Sequence, residues 1–274
     1  MPYPAPDLAR RGAVGRFLTG LTYPLQGFRL VLTHPQLWKY LVAPMFLSLL
    51  ALLAALYGSV RLVGAFAETV EPANLGQELS FFILSGLAYI VAFALTMVVT
   101  YVVANLVAVP FNDRLSDKVE QLTLGPLDEP FHLGTLITDL LQSVIHSALS
   151  LFLWGFVMVG LLVFHLVPVF GNLMSVLGTT LATGFFLSRE MMDGAMSRRR
   201  LGYFHKLRVL WANRALCLGF GMVASGFLWL PGLNILLMPM VVAGGTLMFC
   251  HLETRELVPN RDGSGPFVDQ RRRG

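Results

Sequence analysis

Arg29 is the only charged residue between Phe17 and Trp38, so its surroundings must hold it at a polar boundary or give it a partner. A guanidinium offers a planar fork of donors suited to an oxyanion. Gly27, two residues earlier, lacks the side chain that would keep backbone away from such an ion. The same long side chain could instead snorkel to lipid phosphates and do nothing more. His146 and His165 lie in an apolar stretch and could relay protons, or be neutral hydrogen-bonded side chains. Asn112, Asn172 and Asn234 each stand where an apolar run breaks, so their amides could line a wet path or cap a helix. The basic run Arg198–Arg200, with Arg189 upstream, would set topology and touch anionic lipid, or draw anions toward a membrane mouth.

Catalysis has little to stand on. There is no His-Glu-x-x-His, no Gly-x-Ser-x-Gly, no phosphate-binding Gly-x-x-x-x-Gly-Lys and no carboxylate pair within an apolar stretch. Cys217 and Cys250 both sit in apolar runs and read as small buried hydrophobes, so neither a disulfide framework nor a metal cluster is expected. No cofactor is called for.

The elements that must position these residues follow from composition. Of 274 residues, 55% are hydrophobic and 13% charged, against roughly 25% charged in a soluble domain. Leu79–Asn112, Leu140–Ser188 and Ala215–Cys250 carry no Asp, Glu, Lys or Arg. Each exceeds the roughly 20 residues a helix needs to cross a bilayer, and none alternates as a barrel strand would. The expectation is an all-α integral membrane protein. It has an N-terminal interfacial helix over Arg16–Thr33, a span over Leu41–Val60, a second over Leu79–Val109, and two helical hairpins, partly re-entrant. Pro110-Phe111-Asn112 should interrupt the second span, and an amphipathic helix bearing Leu115, Val119 and Leu122 should then cover a solvated surface.

The hairpins turn at Pro168-Val169-Phe170-Gly171-Asn172 and at Leu230-Pro231-Gly232-Leu233-Asn234. The second arm of the first, about 16 residues, and both arms of the second are short for full spans. Paired short segments interrupted by Gly and Pro point to broken or re-entrant helices around a transport site, although two plain kinked hairpins would look alike. Residues 1–15 should fray, 16–252 form one membrane domain, and 253–274 a disordered polar tail.

Charge bias sets the orientation. Met1–Tyr40 holds five basic residues against one acid, and Arg189–Arg214 seven against two, so both belong in the cytoplasm with the N- and C-termini. The net charge of +4 sits beside apolar segments without an aromatic-basic platform, which argues for a membrane surface and against nucleic acid.

Four stretches taken together carry a family resemblance: Gly27-Phe28-Arg29-Leu30 with Pro35, Val109-Pro110-Phe111-Asn112-Asp113 leading to Val119-Glu120, Asp193–Arg200, and Leu230-Pro231-Gly232-Leu233-Asn234 with Met238-Pro239. In order and spacing they resemble the CysZ sulfate-transport family, which also takes in an etoposide-induced endoplasmic-reticulum membrane protein of animals. The resemblance runs over roughly Gly15–Glu253. It implies sulfate uptake across the inner membrane for cysteine synthesis, two long spanning helices with hairpins that penetrate partly, and a homo-oligomer around the pathway. It also implies an oxyanion site at Gly27 and Arg29. Some relatives place a second arginine nearby, where this chain has Leu30. The animal relative leaves open a membrane scaffold or stress-linked factor without substrate, and the basic loop leaves open a lipid-interacting protein.

Overall fold

A computed structural model describes residues 5–68, 75–125, 133–166, 170–228 and 234–260. Eight α-helices follow one another among these residues: α1 Ala13–Thr33, α2 Trp38–Glu68, α3 Leu75–Leu124, α4 Leu133–Leu162, α5 Phe170–Arg198, α6 Tyr203–Ala212, α7 Arg214–Leu228 and α8 Asn234–Thr254. Short 3-10 turns sit at Pro35–Leu37 and Val163–Leu166. The chain is an all-α, multi-pass membrane protein: four helical segments, Pro35–Ala65, Phe82–Leu124, Phe170–Arg198 and Leu237–Thr254, are long and apolar enough to cross a bilayer.

Several boundaries differ from those expected, for a common reason. Where water is absent, a helix that stops early strands its backbone amides and carbonyls, so helices run through local breakers. α1 continues through Pro24, and α2 extends past Arg61 to Glu68. α3 passes Pro110 and Asn112 without interruption and includes the segment expected to be a separate amphipathic helix. It counts 50 residues. The arm expected to be about 16 residues is α5, which has 29 and carries its charged end to Arg198. α7, with 15 residues, is short as expected, whereas α8 has 21. Residues 229–233, which hold the second hairpin turn, lie outside the described residues, as do residues 167–169 of the first.

The chain divides into two compact units. One, Lys39–Asn112, comprises most of α2 and the first part of α3. Large apolar side chains such as Leu50, Leu53, Phe82, Ile90 and Leu95 point outward along its helices. So broad an apolar surface is what lipid, not water, solvates.

The other unit, Met1–Trp38 with Asp113–Gly274, contains the packed core. α8 is its centre: 78% of its most apolar window is buried, against 6% for α3. α1 packs on α7 and α8, and α5 on the same two helices from elsewhere. These contacts are close because glycines meet. A Cβ added at Gly27 would overlap the backbone of Met240 and Gly244, and one at Gly221 would overlap the backbone of Gly184.

The segments flanking this core are also held. Leu8 is fully buried, and Arg255 donates to the carbonyls of Ala5 and Pro6, so residues 5–12 are tied to the end of α8. Past α8, Val258 is buried and His205 Nε2 lies 2.7 Å from the Pro259 carbonyl. Residues 261–274 lie outside the described residues.

Candidate functional site

Arg29 projects from α1 about one turn before its end at Thr33. That helix buries Tyr23, Gly27, Leu30 and Val31 and turns Leu25, Phe28, Arg29 and Leu32 outward. Among the described residues no carboxylate pairs with its guanidinium. It is a cation set in an outward apolar stripe. Gly27 does something else: it faces the core and allows α1 to touch Gly244 on α8. The structure therefore separates the two residues of the Gly-x-Arg pattern onto opposite faces of the helix, and close backbone approach at Gly27 is to protein.

The other expected positions lie on α3, α4, α5 and α8 and in the second 3-10 turn. Asn112 lies within α3, not at a break, and its Oδ1 is shielded without a hydrogen-bond partner among the described residues. Asn172 stands exposed in the first turn of α5, past the hairpin turn to which it was assigned. Asn234 opens α8; its side chain lies outside what is described, as do those of His146 in α4 and His165 in the following 3-10 turn.

The charges that do gather are those near one end of α5. Arg198 donates to Asp113 Oδ1 at 3.0 Å, Glu120 Oε2 at 2.9 Å and Ser116 Oγ at 2.7 Å. Arg199 pairs with Glu120 at 2.6 Å and with Glu253 on α8. Ser116 also meets Thr246 of α8 at 2.8 Å. A second cluster adjoins it: Asp193 accepts from Arg189 Nη2 at 3.1 Å and from Lys206 Nζ at 2.8 Å, and Lys206 also donates to Ser197. Arg189 lies over the Tyr203 ring, 5.0 Å from its centroid, and its Nε finds no acceptor among the described residues.

The ledger of charge is even: Arg189, Arg198, Arg199 and Lys206 face Asp113, Glu120, Asp193 and Glu253. Glu120, Arg189 and Lys206 are withdrawn from solvent, which is tolerable only because each is paired. Burial alone would pull Arg199 down, but the hydrogen-bonded Glu253 and Glu120 carboxylates outweigh it and hold the guanidinium above its ordinary range. Lys206 goes the other way: burial lowers its ammonium below the usual lysine range, and Asp193 offsets only part of that.

This corrects two expectations. Leu115 and Val119 are buried while Asp113 and Arg114 are exposed, as an amphipathic segment requires, but Glu120, expected among its solvated charges, is buried as well. The basic run is not wholly a lipid-facing charge, since Arg198 and Arg199 turn inward to carboxylates. The signal that could have found the network was present: an acidic excess after Asp113 complements a basic excess after Arg189.

Comparison with known proteins gives this arrangement its context. Residues 23–239 match the family model described as sulfate transporter CysZ/etoposide-induced protein 2.4. A sulfate transporter CysZ of Pseudomonas syringae is 29% identical over 250 residues, 88% of this chain and 96% of that protein. Those of Vibrio cholerae and Pseudomonas aeruginosa are each 27% identical, covering 84% and 86% of this chain and 92% and 96% of theirs. Matched along most of its length in this way, the chain belongs to the CysZ/etoposide-induced protein 2.4 family.

Proposed function

We propose that this protein carries sulfate across the bacterial inner membrane, supplying sulfur for cysteine synthesis. The family match and the names of relatives spanning nearly the same length support the reading. The observation that carries it to a residue is Arg29, an exposed guanidinium on an outward apolar stripe of α1. A tetrahedral dianion matches a guanidinium fork, and stripping its water requires fixed donors of this kind. The C-terminal turn of α1 offers carbonyls rather than amides, so the other sulfate oxygens would be met by groups from neighbouring copies in a homo-oligomer. Asn112, whose carbonyl oxygen has no partner among the described residues, and Asn172 are further pathway candidates, and His146 and His165 are candidate proton carriers. The basic excess of Arg189–Arg214 supports a cytoplasmic side for the termini in this reading.

The test is sulfate uptake into liposomes containing the purified protein. Uptake should exceed that of empty vesicles, and Arg29→Ala should abolish it while the melting temperature stays unchanged, because the side chain is exposed. Wild-type uptake no faster than empty vesicles rejects transport. Full flux in Arg29→Ala rejects Arg29 alone.

A further inference from the structure

We propose that α6 is an interfacial helix whose outer stripe, Phe204, Arg208 and Trp211, seats on the phosphate headgroups of anionic lipids. The two aromatics and the arginine are spaced four and three residues apart, so they share one helix face, and all three are exposed, Phe204 at 77% and Trp211 at 62%. The inner face is fixed. Val209 and Leu210 are buried, Lys206 is tied to Asp193 and Ser197, and His205 reaches the Pro259 carbonyl. The stripe therefore has one orientation and does not roll.

Geometry places that face at a lipid boundary. α6 and the apolar α7 meet at 97°, a bend held by Asn213, whose Nδ2 donates to the carbonyls of Val209 and Leu257. If α7 enters the bilayer, α6 lies near its plane. Trp211 lies against Phe185 of the membrane-length helix α5, the rings tilted by 54° with centroids 5.5 Å apart, which puts the indole beside that helix. Aromatic rings prefer the headgroup level, and an arginine one turn away meets phosphate there. Charge complementarity selects anionic over neutral lipid: from Gly194 through Leu252 the chain has no Asp or Glu but contains Arg200, Arg208 and Arg214, all exposed. The proposal is independent of sulfate transport, because its readout is lipid retention.

Delipidated full-length protein in neutral detergent is titrated with phosphatidylglycerol and, separately, phosphatidylcholine, with bound lipid counted by native mass spectrometry. Phosphatidylglycerol should bind preferentially. Arg208→Gln should weaken it about fivefold, the effect of one basic side chain at an anionic surface, while leaving phosphatidylcholine unchanged. Arg208→Lys should keep most of the preference, and Phe204→Ser with Trp211→Ser should weaken both lipids. Undiminished selectivity in Arg208→Gln overturns the proposal. So does displacement of the lipid by inorganic phosphate at constant ionic strength, which would mark a site for free oxyanion.

Discussion

Arg199 lies 2.6 Å from Glu120, and both side chains are sealed from solvent. The two residues are far apart in sequence and belong to different helical regions, so this contact joins the last third of α3 to the end of α5. Glu253 then brings in the end of α8 through the same guanidinium. An isolated buried pair is weak evidence for stability, since desolvation can equal the attraction. A carboxylate shared by Arg198 and Arg199 is different in one respect: removing it takes one partner from each of two cations at once.

Glu120→Ala should accordingly destabilise the detergent-solubilised protein by about 3 kcal/mol, the scale for removing one partner of a buried pair. Arg198 retains Asp113 and Arg199 retains Glu253, which keeps the loss near the lower end. Chemical unfolding followed by circular dichroism measures it. A midpoint equal to wild type would mean that the network adds nothing to stability.

Gly27 and Arg29 should respond in opposite ways to substitution. Gly27→Ala places a methyl against the backbone of Met240 and Gly244, and neither backbone can turn aside as a flexible side chain would. Overpacking of this sort costs about 1 to 3 kcal/mol. Arg29→Ala should leave stability within about 0.5 kcal/mol, as at other exposed positions. Equal melting of Gly27→Ala and wild type would refute the close crossing of α1 and α8.

The helical, membrane-embedded character was legible because charge-free runs longer than a bilayer admit few alternatives. The ends of the helices were not. Pro110 reads as a stop by local propensity, yet α3 continues through it, because propensity is a weak prior against the need to satisfy backbone groups. The role of Gly27 was equally hidden, since a glycine that admits an ion and one that admits a helix look the same without the partner helix. Arg198 and Arg199 read as topology signals, for pairing with Glu120 and Glu253 depends on contacts 78 and 54 residues away, respectively.

Cys217 and Cys250 are both fully buried, one on α7 and the other on α8, and neither should react with a maleimide in the native protein. Both should label once the chain is denatured. Mass spectrometry of the alkylated protein gives the count directly. Rapid labelling of either thiol without denaturant would show that the α7 and α8 core opens far more often than its packing allows.

Lys206 allows a test in which the sign is fixed in advance. Its ammonium is buried against Asp193, 2.8 Å away, and burial lowers its pKa from the ordinary 10.5 that it keeps in the unfolded chain. Between the folded value and 10.5 the unfolded chain binds more protons, so the folded state gains stability as pH rises through that window. Below the folded value both states are protonated, and the penalty for the buried charge is constant. Lys206→Met removes this titration while Arg189 still pairs with Asp193. The stability of wild type relative to Lys206→Met should therefore rise with pH as the window ending at 10.5 is crossed, as measured by denaturant unfolding over a pH series. A difference that stays constant up to 10.5, or that moves toward the variant, would show that the lysine is not depressed in the folded protein.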